Sequence, residues 1–127
     1  MAALNHIIIP AKDKHASAKF LADILGVEPA PQWGPFVPVP TANGVTLDFV
    51  DSSDLRTQHY AFLVDDREFD AALAHMKKSS VAYFANHDHS GLGEINRYNG
   101  GRGVYFDDPD GHLLELITKP YGSTPAG

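Results

Sequence analysis

The sequence predicts an α+β protein built from two similar halves. Three observations point there. Each half opens on an apolar, β-branched or aromatic run headed by a histidine, continues into a stretch of helical periodicity, and closes on an aliphatic strand with an acid four residues after a glycine. At 127 residues the chain is sized for one domain, or for two small halves sharing one core. Its 43 % hydrophobic content is that of a folded protein.

The first half, residues 1–52, begins Leu4-Asn5-His6-Ile7-Ile8-Ile9, which reads as a strand. From Lys14 to Leu25, Ala16, Phe20, Leu21 and Ile24 fall on one face at helical spacing, with Asp13 placed to cap the start and Gly26 to stop the end. Middle strands are expected next, then the closing strand Gly44-Val45-Thr46-Leu47-Asp48-Phe49-Val50. The Ser- and Asp-rich run from Asp51 to Thr57 reads as the connector.

The second half, residues 57–120, repeats the plan. Gln58-His59-Tyr60-Ala61-Phe62-Leu63-Val64 is the histidine strand. A helix follows from about Arg67 to Lys78, with Phe69, Ala72, Leu73 and Met76 on one face. Asp65 and Glu68 have the spacing of a capping box, and Lys77 and Lys78 complement the helix dipole. Gly111-His112-Leu113-Leu114-Glu115-Leu116-Ile117 is the acid strand. The surplus length of this half lies between Ala85 and Gly103 and reads as a long loop beside a site. Residues 121–127 read as a C-terminal tail.

Composition narrows the chemistry. Without cysteine there are no disulfides, thiolate metal sites or cysteine nucleophile. A net charge of −6 and no basic patch speak against nucleic-acid binding. No apolar run is long enough to span a membrane, and the first residues lack the pattern of a signal peptide, so a cytoplasmic protein is expected.

Glu115 sits in mid-strand among aliphatics, where an uncompensated carboxylate costs several kcal/mol. A metal ion, a basic partner or solvent in a cleft removes that cost. Asp48, between Leu47 and Phe49, poses the same problem. An arginine such as Arg97 or Arg102, or solvent on a one-sided sheet, would answer it equally well for either acid. A single strand-start histidine is more often structural than a ligand. The joint placement of His6, His59 and Glu115 in matching frames is what favours a metal. Two imidazoles and a carboxylate with open positions suit a divalent ion: iron(II), manganese(II), nickel(II) or zinc(II).

These features resemble the vicinal oxygen chelate superfamily of glyoxalases, extradiol dioxygenases, fosfomycin-resistance transferases and bleomycin-binding proteins. The resemblance runs from Leu4 to about Lys119. Its most specific piece is Tyr105-Phe106-Asp107-Asp108-Pro109-Asp110-Gly111-His112-Leu113-Leu114-Glu115, an aromatic strand, a D-P-D-G turn and a strand with the metal-binding glutamate. Leu4-Asn5-His6 and His59-Tyr60-Ala61-Phe62 match the two histidine strands.

The resemblance implies paired βαβββ modules forming a curved mixed sheet, with a cup-like metal cleft inside and helices outside. It implies a metal on His6, His59 and Glu115, with Asp48 where glyoxalases place a fourth ligand. Homodimers are usual in the family. The substrate is expected to be a small molecule chelated through neighbouring oxygens, acted on by a glyoxalase-like lyase or isomerase or by an extradiol-type ring-cleaving dioxygenase. Tyr105, ten residues before Glu115, takes the place of a dioxygenase tyrosine able to donate a proton or hydrogen bond; a packing aromatic beside Phe106 explains it as well.

The lid loop offers Glu94, Asn96, Tyr98 and Arg102 as substrate contacts, with Arg102 suited to an anion. His87 and His89 are as readily solvated loop residues. The competing class is a non-catalytic binding protein of the bleomycin-resistance type, its pocket lined by Trp33, Phe36, Phe49, Tyr83 and Phe84. A fosfomycin-resistance transferase is a further alternative. Against it, Ile8 stands where those proteins carry threonine, and their lysine after the second helix and arginine beyond the glutamate have no clear counterpart.

Overall fold

A computed structural model describes residues 1–122 of the chain, so most of the tail 121–127 lies outside the described residues. The chain divides into two compact units, Met1–Arg56 and Thr57–Gly127. Both are mixtures of helix and mixed sheet, the α+β class that the sequence predicts.

In the first unit, strand β1 (His6–Ala11) is followed by helix α1 (Lys14–Leu25), then β2 (Phe36–Pro40) and β3 (Thr46–Asp51). The sheet order is β1-β3-β2, parallel between β1 and β3 and antiparallel between β3 and β2. Helix α1 starts where expected: Asp13 accepts from the backbone N–H groups of His15 and Ala16. It ends on Gly26 in the left-handed conformation, φ 72°. Its buried residues are Ser17, Ala18, Leu21, Ala22 and Ile24, while Ala16 is exposed. The buried stripe is therefore rotated from the predicted one. The small residues Ser17, Ala18 and Ala22 permit close approach to the sheet, and small residues carry little hydrophobic signal.

The strand expected at 4–9 begins instead at His6 and runs on through Pro10. Proline is tolerated there because β1 is an edge strand. The same reason admits Pro38 and Pro40 to β2, the opposite edge.

The second unit contains β4 (His59–Leu63), helix α2 (Asp66–Lys78), a 3-10 turn at Tyr98–Gly100, β5 (Gly103–Asp107) and β6 (Leu113–Ile117). The sheet order β4-β6-β5 repeats the first unit's plan of parallel and antiparallel pairing. Asp65 and Glu68 form the capping box at the start of α2, each side chain bonded to the other's backbone N–H, at 2.7 Å and 3.0 Å. Phe69, Ala72 and Met76 are the buried residues of α2.

In both units the strand that a βαβββ module would place after its helix is shortened to isolated contacts. In the first, Ala30 N–H donates to Pro38 O at 2.8 Å and Trp33 bridges Phe36. Pro29, Pro31 and Pro35 remove the donors that a longer ladder needs. In the second, Phe84 exchanges two bonds of 2.8 Å with Tyr105. Among the described residues no helix is long and apolar enough to cross a membrane.

Candidate metal centre

Strand register decides which side chains share a face. In the second unit His59 pairs with Leu113, and Leu113 with Asp107; Ala61 pairs with Glu115, and Glu115 with Tyr105. His59, Glu115, Tyr105 and Asp107 therefore share one face of the sheet. The other face carries Tyr60, Phe62, Leu114, Leu116, Val104 and Phe106, of which the last four are buried.

The side chains of His59 and Glu115 meet, with Nε2 and Oε1 3.0 Å apart. Glu115 is 1 % exposed. The other ring nitrogen of His59, Nδ1, lies 2.9 Å from the carbonyl of Leu113. A carbonyl only accepts, so the hydrogen sits on Nδ1 and, in the neutral ring, the Nε2 lone pair faces the carboxylate. Two acceptors 3.0 Å apart repel unless a proton or a cation lies between them. This is also how metal-binding histidines are held: a backbone carbonyl fixes the tautomer and leaves the far nitrogen to the ion. Donors each ~2.1 Å from one ion and at right angles to it stand ~3.0 Å apart, so the pair fits a divalent cation. Among the described residues no group of three or more His, Asp or Glu side chains is gathered for metal binding.

A second contact falls on the same oxygen. The phenol of Tyr121 donates to Glu115 Oε1 at 2.7 Å. Tyr105 is 7 % exposed; burial first, then hydrogen bonding toward Tyr121 and Glu115, raises its phenol well above the ordinary tyrosine value. The bond to Glu115, then burial, raise that of Tyr121. The Tyr105 ring stacks on that of His59 at 6.0 Å, and His87 meets its edge at 6.4 Å. Tyr121 was not foreseen from the sequence. It follows the site strand by four residues in a region without periodicity, and only its return across the sheet reveals the contact.

In the first unit His6 pairs with Thr46 and Asp48 with Ile8. His6 and Asp48 thus stand on one face of their sheet in the frame that His59 and Glu115 occupy in theirs. Nδ1 of His6 lies 2.7 Å from Asn5 Oδ1.

The loop residues are placed as follows. Arg102 gives its guanidinium to Asp66 (3.0 Å) and Asp70 (2.7 Å) of α2, with Phe69 4.5 Å beneath it. Asn96 is buried, donating to Ala85 O at 2.7 Å and accepting from Tyr98 N–H at 3.2 Å. Glu94 and Tyr98 are exposed, and the Tyr98 phenol donates to Asn86. His89 bonds Asp107 at 2.9 Å and packs on Phe84. Trp33 is 73 % exposed and Phe49 is in the core. His112, wholly buried, accepts from Gln58 N–H at 3.1 Å, and Asp108 accepts from the N–H groups of Asp110 and His112 at 2.9 Å, tying the D-P-D-G turn to the start of β4.

Fold and site together define a class, and comparison with known proteins agrees: the chain belongs to the Glyoxalase/Bleomycin resistance protein/Dioxygenase superfamily, whose profile matches residues 3–116. Among solved structures it is similar to oxidase ChaP-H2, 53 % identical with a TM-score of 0.94 over 96 % of this chain and 97 % of that one. Oxidase ChaP-H1 is 50 % identical, TM-score 0.93, over 97 % and 100 %. Among curated proteins it is similar to the glutathione transferase FosA of Serratia marcescens, 25 % identical over 90 % of this chain and 79 % of that protein.

Proposed function

We propose that the protein is a divalent-metal-dependent oxidase acting on a small substrate that presents neighbouring oxygen atoms. The observation that carries this reading is the 3.0 Å approach of His59 Nε2 to Glu115 Oε1, a gap suited to one shared cation, with Nδ1 of the same ring 2.9 Å from a carbonyl. His6 is the third proposed ligand and Asp48 a fourth. Iron(II), manganese(II), nickel(II) and zinc(II) all suit two imidazoles and carboxylate oxygen. The name oxidase borne by two chains at least 50 % identical favours a redox reaction over the lyase alternative.

An ion held here would supply Lewis-acid chemistry toward the substrate's neighbouring oxygens, and iron or manganese would supply redox chemistry that zinc would not. The chain's own groups do the rest. The Leu113 carbonyl orients His59. Tyr105, kept protonated, is a hydrogen-bond donor rather than a base, and it serves a substrate oxygen by exchanging the bond it directs at its neighbours. The exposed rings of His59 and His87, packed against Tyr105, offer flat surface to a planar substrate. Exposed Glu94 and Tyr98 remain proposed substrate contacts. Arg102 and Asn96 act through the framework they brace, since their polar groups are engaged within the protein.

The test is elemental analysis of protein purified without added metal or chelator, joined to oxygen-uptake assays on catechols and ortho-hydroxy ketones. Near-stoichiometric metal is expected, lost in His59→Ala and His6→Ala. Oxygen uptake should fall at least ~100-fold in Glu115→Gln, as for loss of a group essential to the chemistry. A protein that neither contains nor takes up metal would instead be a binding protein of the sequestering type.

A further inference from the structure

We propose that Tyr121 is a positioning residue for Glu115: its phenol holds Oε1 turned toward His59 Nε2 and thereby sets how tightly the pair takes a divalent cation. The inference rests on the metal-binding reading above. A glutamate side chain has three rotatable bonds, and its carboxylate loses affinity for an ion to the extent that it must be ordered on binding. Here the ordering is done in advance. Oε1 has two lone pairs. Tyr121 engages one at 2.7 Å, and the Nε2 of His59 faces the same oxygen at 3.0 Å.

The phenol is brought back by a constructed segment. After β6 the chain bends at Thr118–Lys119 and meets Pro120, whose fixed φ limits the next residue's reach. Thr118 Oγ1 accepts from Arg102 N–H at 2.8 Å, and Thr118 N–H donates to Arg102 O at 3.0 Å. Gly122 N–H donates to Asn99 Oδ1 at 3.3 Å. Gly101 lets the bend approach: a Cβ there would lie 2.6 Å from Thr118 Oγ1 and 2.7 Å from Lys119 Cγ. Tyr121 itself is 62 % exposed, so its ring contributes little to a core, and its hydroxyl is the part placed with purpose.

The test measures manganese(II) affinity by chelator competition for wild type, Tyr121→Phe and Glu115→Gln, with the melting temperature of each metal-free protein. Tyr121→Phe keeps the ring and removes the donor. Its manganese(II) affinity is expected to fall 10- to 100-fold, the usual cost of losing a group that orients a ligand, with little change in melting temperature. An affinity within about twofold of wild type, or a lower melting temperature without an affinity change, overturns the proposal. If wild type binds, Glu115→Gln does not and Tyr121→Phe matches wild type, only the role of Tyr121 falls. Failure of wild type to bind, or equal binding by Glu115→Gln, removes the metal reading and this inference with it.

Discussion

Tyr105 is the residue whose environment most directly restricts its chemistry. Burial and its bonds to Tyr121 and Glu115 all favour the neutral phenol. Because the folded-state value lies above that of the unfolded chain, the stabilising contribution is complete below the ordinary phenol value of ~10 and is lost as pH rises beyond it. Urea unfolding at pH 9 and pH 11 tests this. Wild type should lose more stability over that interval than Tyr105→Phe, which has no phenol to ionise. Equal losses would show that the hydroxyl is solvated in the folded protein. His112 is the structural counterpart: wholly buried, with Nδ1 accepting from Gln58. His112→Ala is expected to cost ~2–4 kcal/mol by opening a cavity and leaving an N–H without its acceptor, read as a lower urea midpoint.

At the level of elements, the helices were the most legible part of the sequence because their ends carry chemistry. Asp13, Gly26, Asp65 and Glu68 act at the termini in the roles their positions announce. Asp65→Ala, which removes one half of the capping box, should lower stability by ~1 kcal/mol in thermal melts. Strand ends were less legible. Pro10, Pro38 and Pro40 look like strand breakers until the sheet order shows them on edge strands, where the ladder does not need an N–H from every residue. The loop between α2 and β5 was legible as a loop but not in its wiring. Arg102 resembles an anion-binding group in sequence, yet Asp66 and Asp70, 36 and 32 residues away, claim its guanidinium. No local pattern foretells a partner at that separation. The same limit hid Tyr121, whose bond to Glu115 depends on how Thr118–Gly122 turns. His59 and Glu115, by contrast, were readable because a parallel strand pair with a fixed two-residue face period places a strand-start histidine beside an acid of the neighbouring strand.

Across the whole molecule the internal repeat extends to the placement of histidine and acid. Each unit presents a histidine at the head of its parallel edge strand and an acid on the central strand opposite the residue two positions along: His6 with Asp48 opposite Ile8, and His59 with Glu115 opposite Ala61. The two pairs are equivalent in register but not in surroundings. Glu115 is buried, faced by His59 and bonded by Tyr121, while Asp48 is only partly buried. The proposed ligand set draws on both units, so metal binding should stabilise them together. Manganese(II) at 100 times its dissociation constant adds ~2.7 kcal/mol to a folded state that alone binds it. Wild type is expected to show one unfolding transition that moves upward with the ion. His59→Ala and Glu115→Gln should abolish the shift, and His6→Ala should do so to a similar degree. A shift that survives His6→Ala but not His59→Ala would confine the ion to the second unit. The first unit's His6 and Asp48 would then be left as the pattern of the repeat without its function.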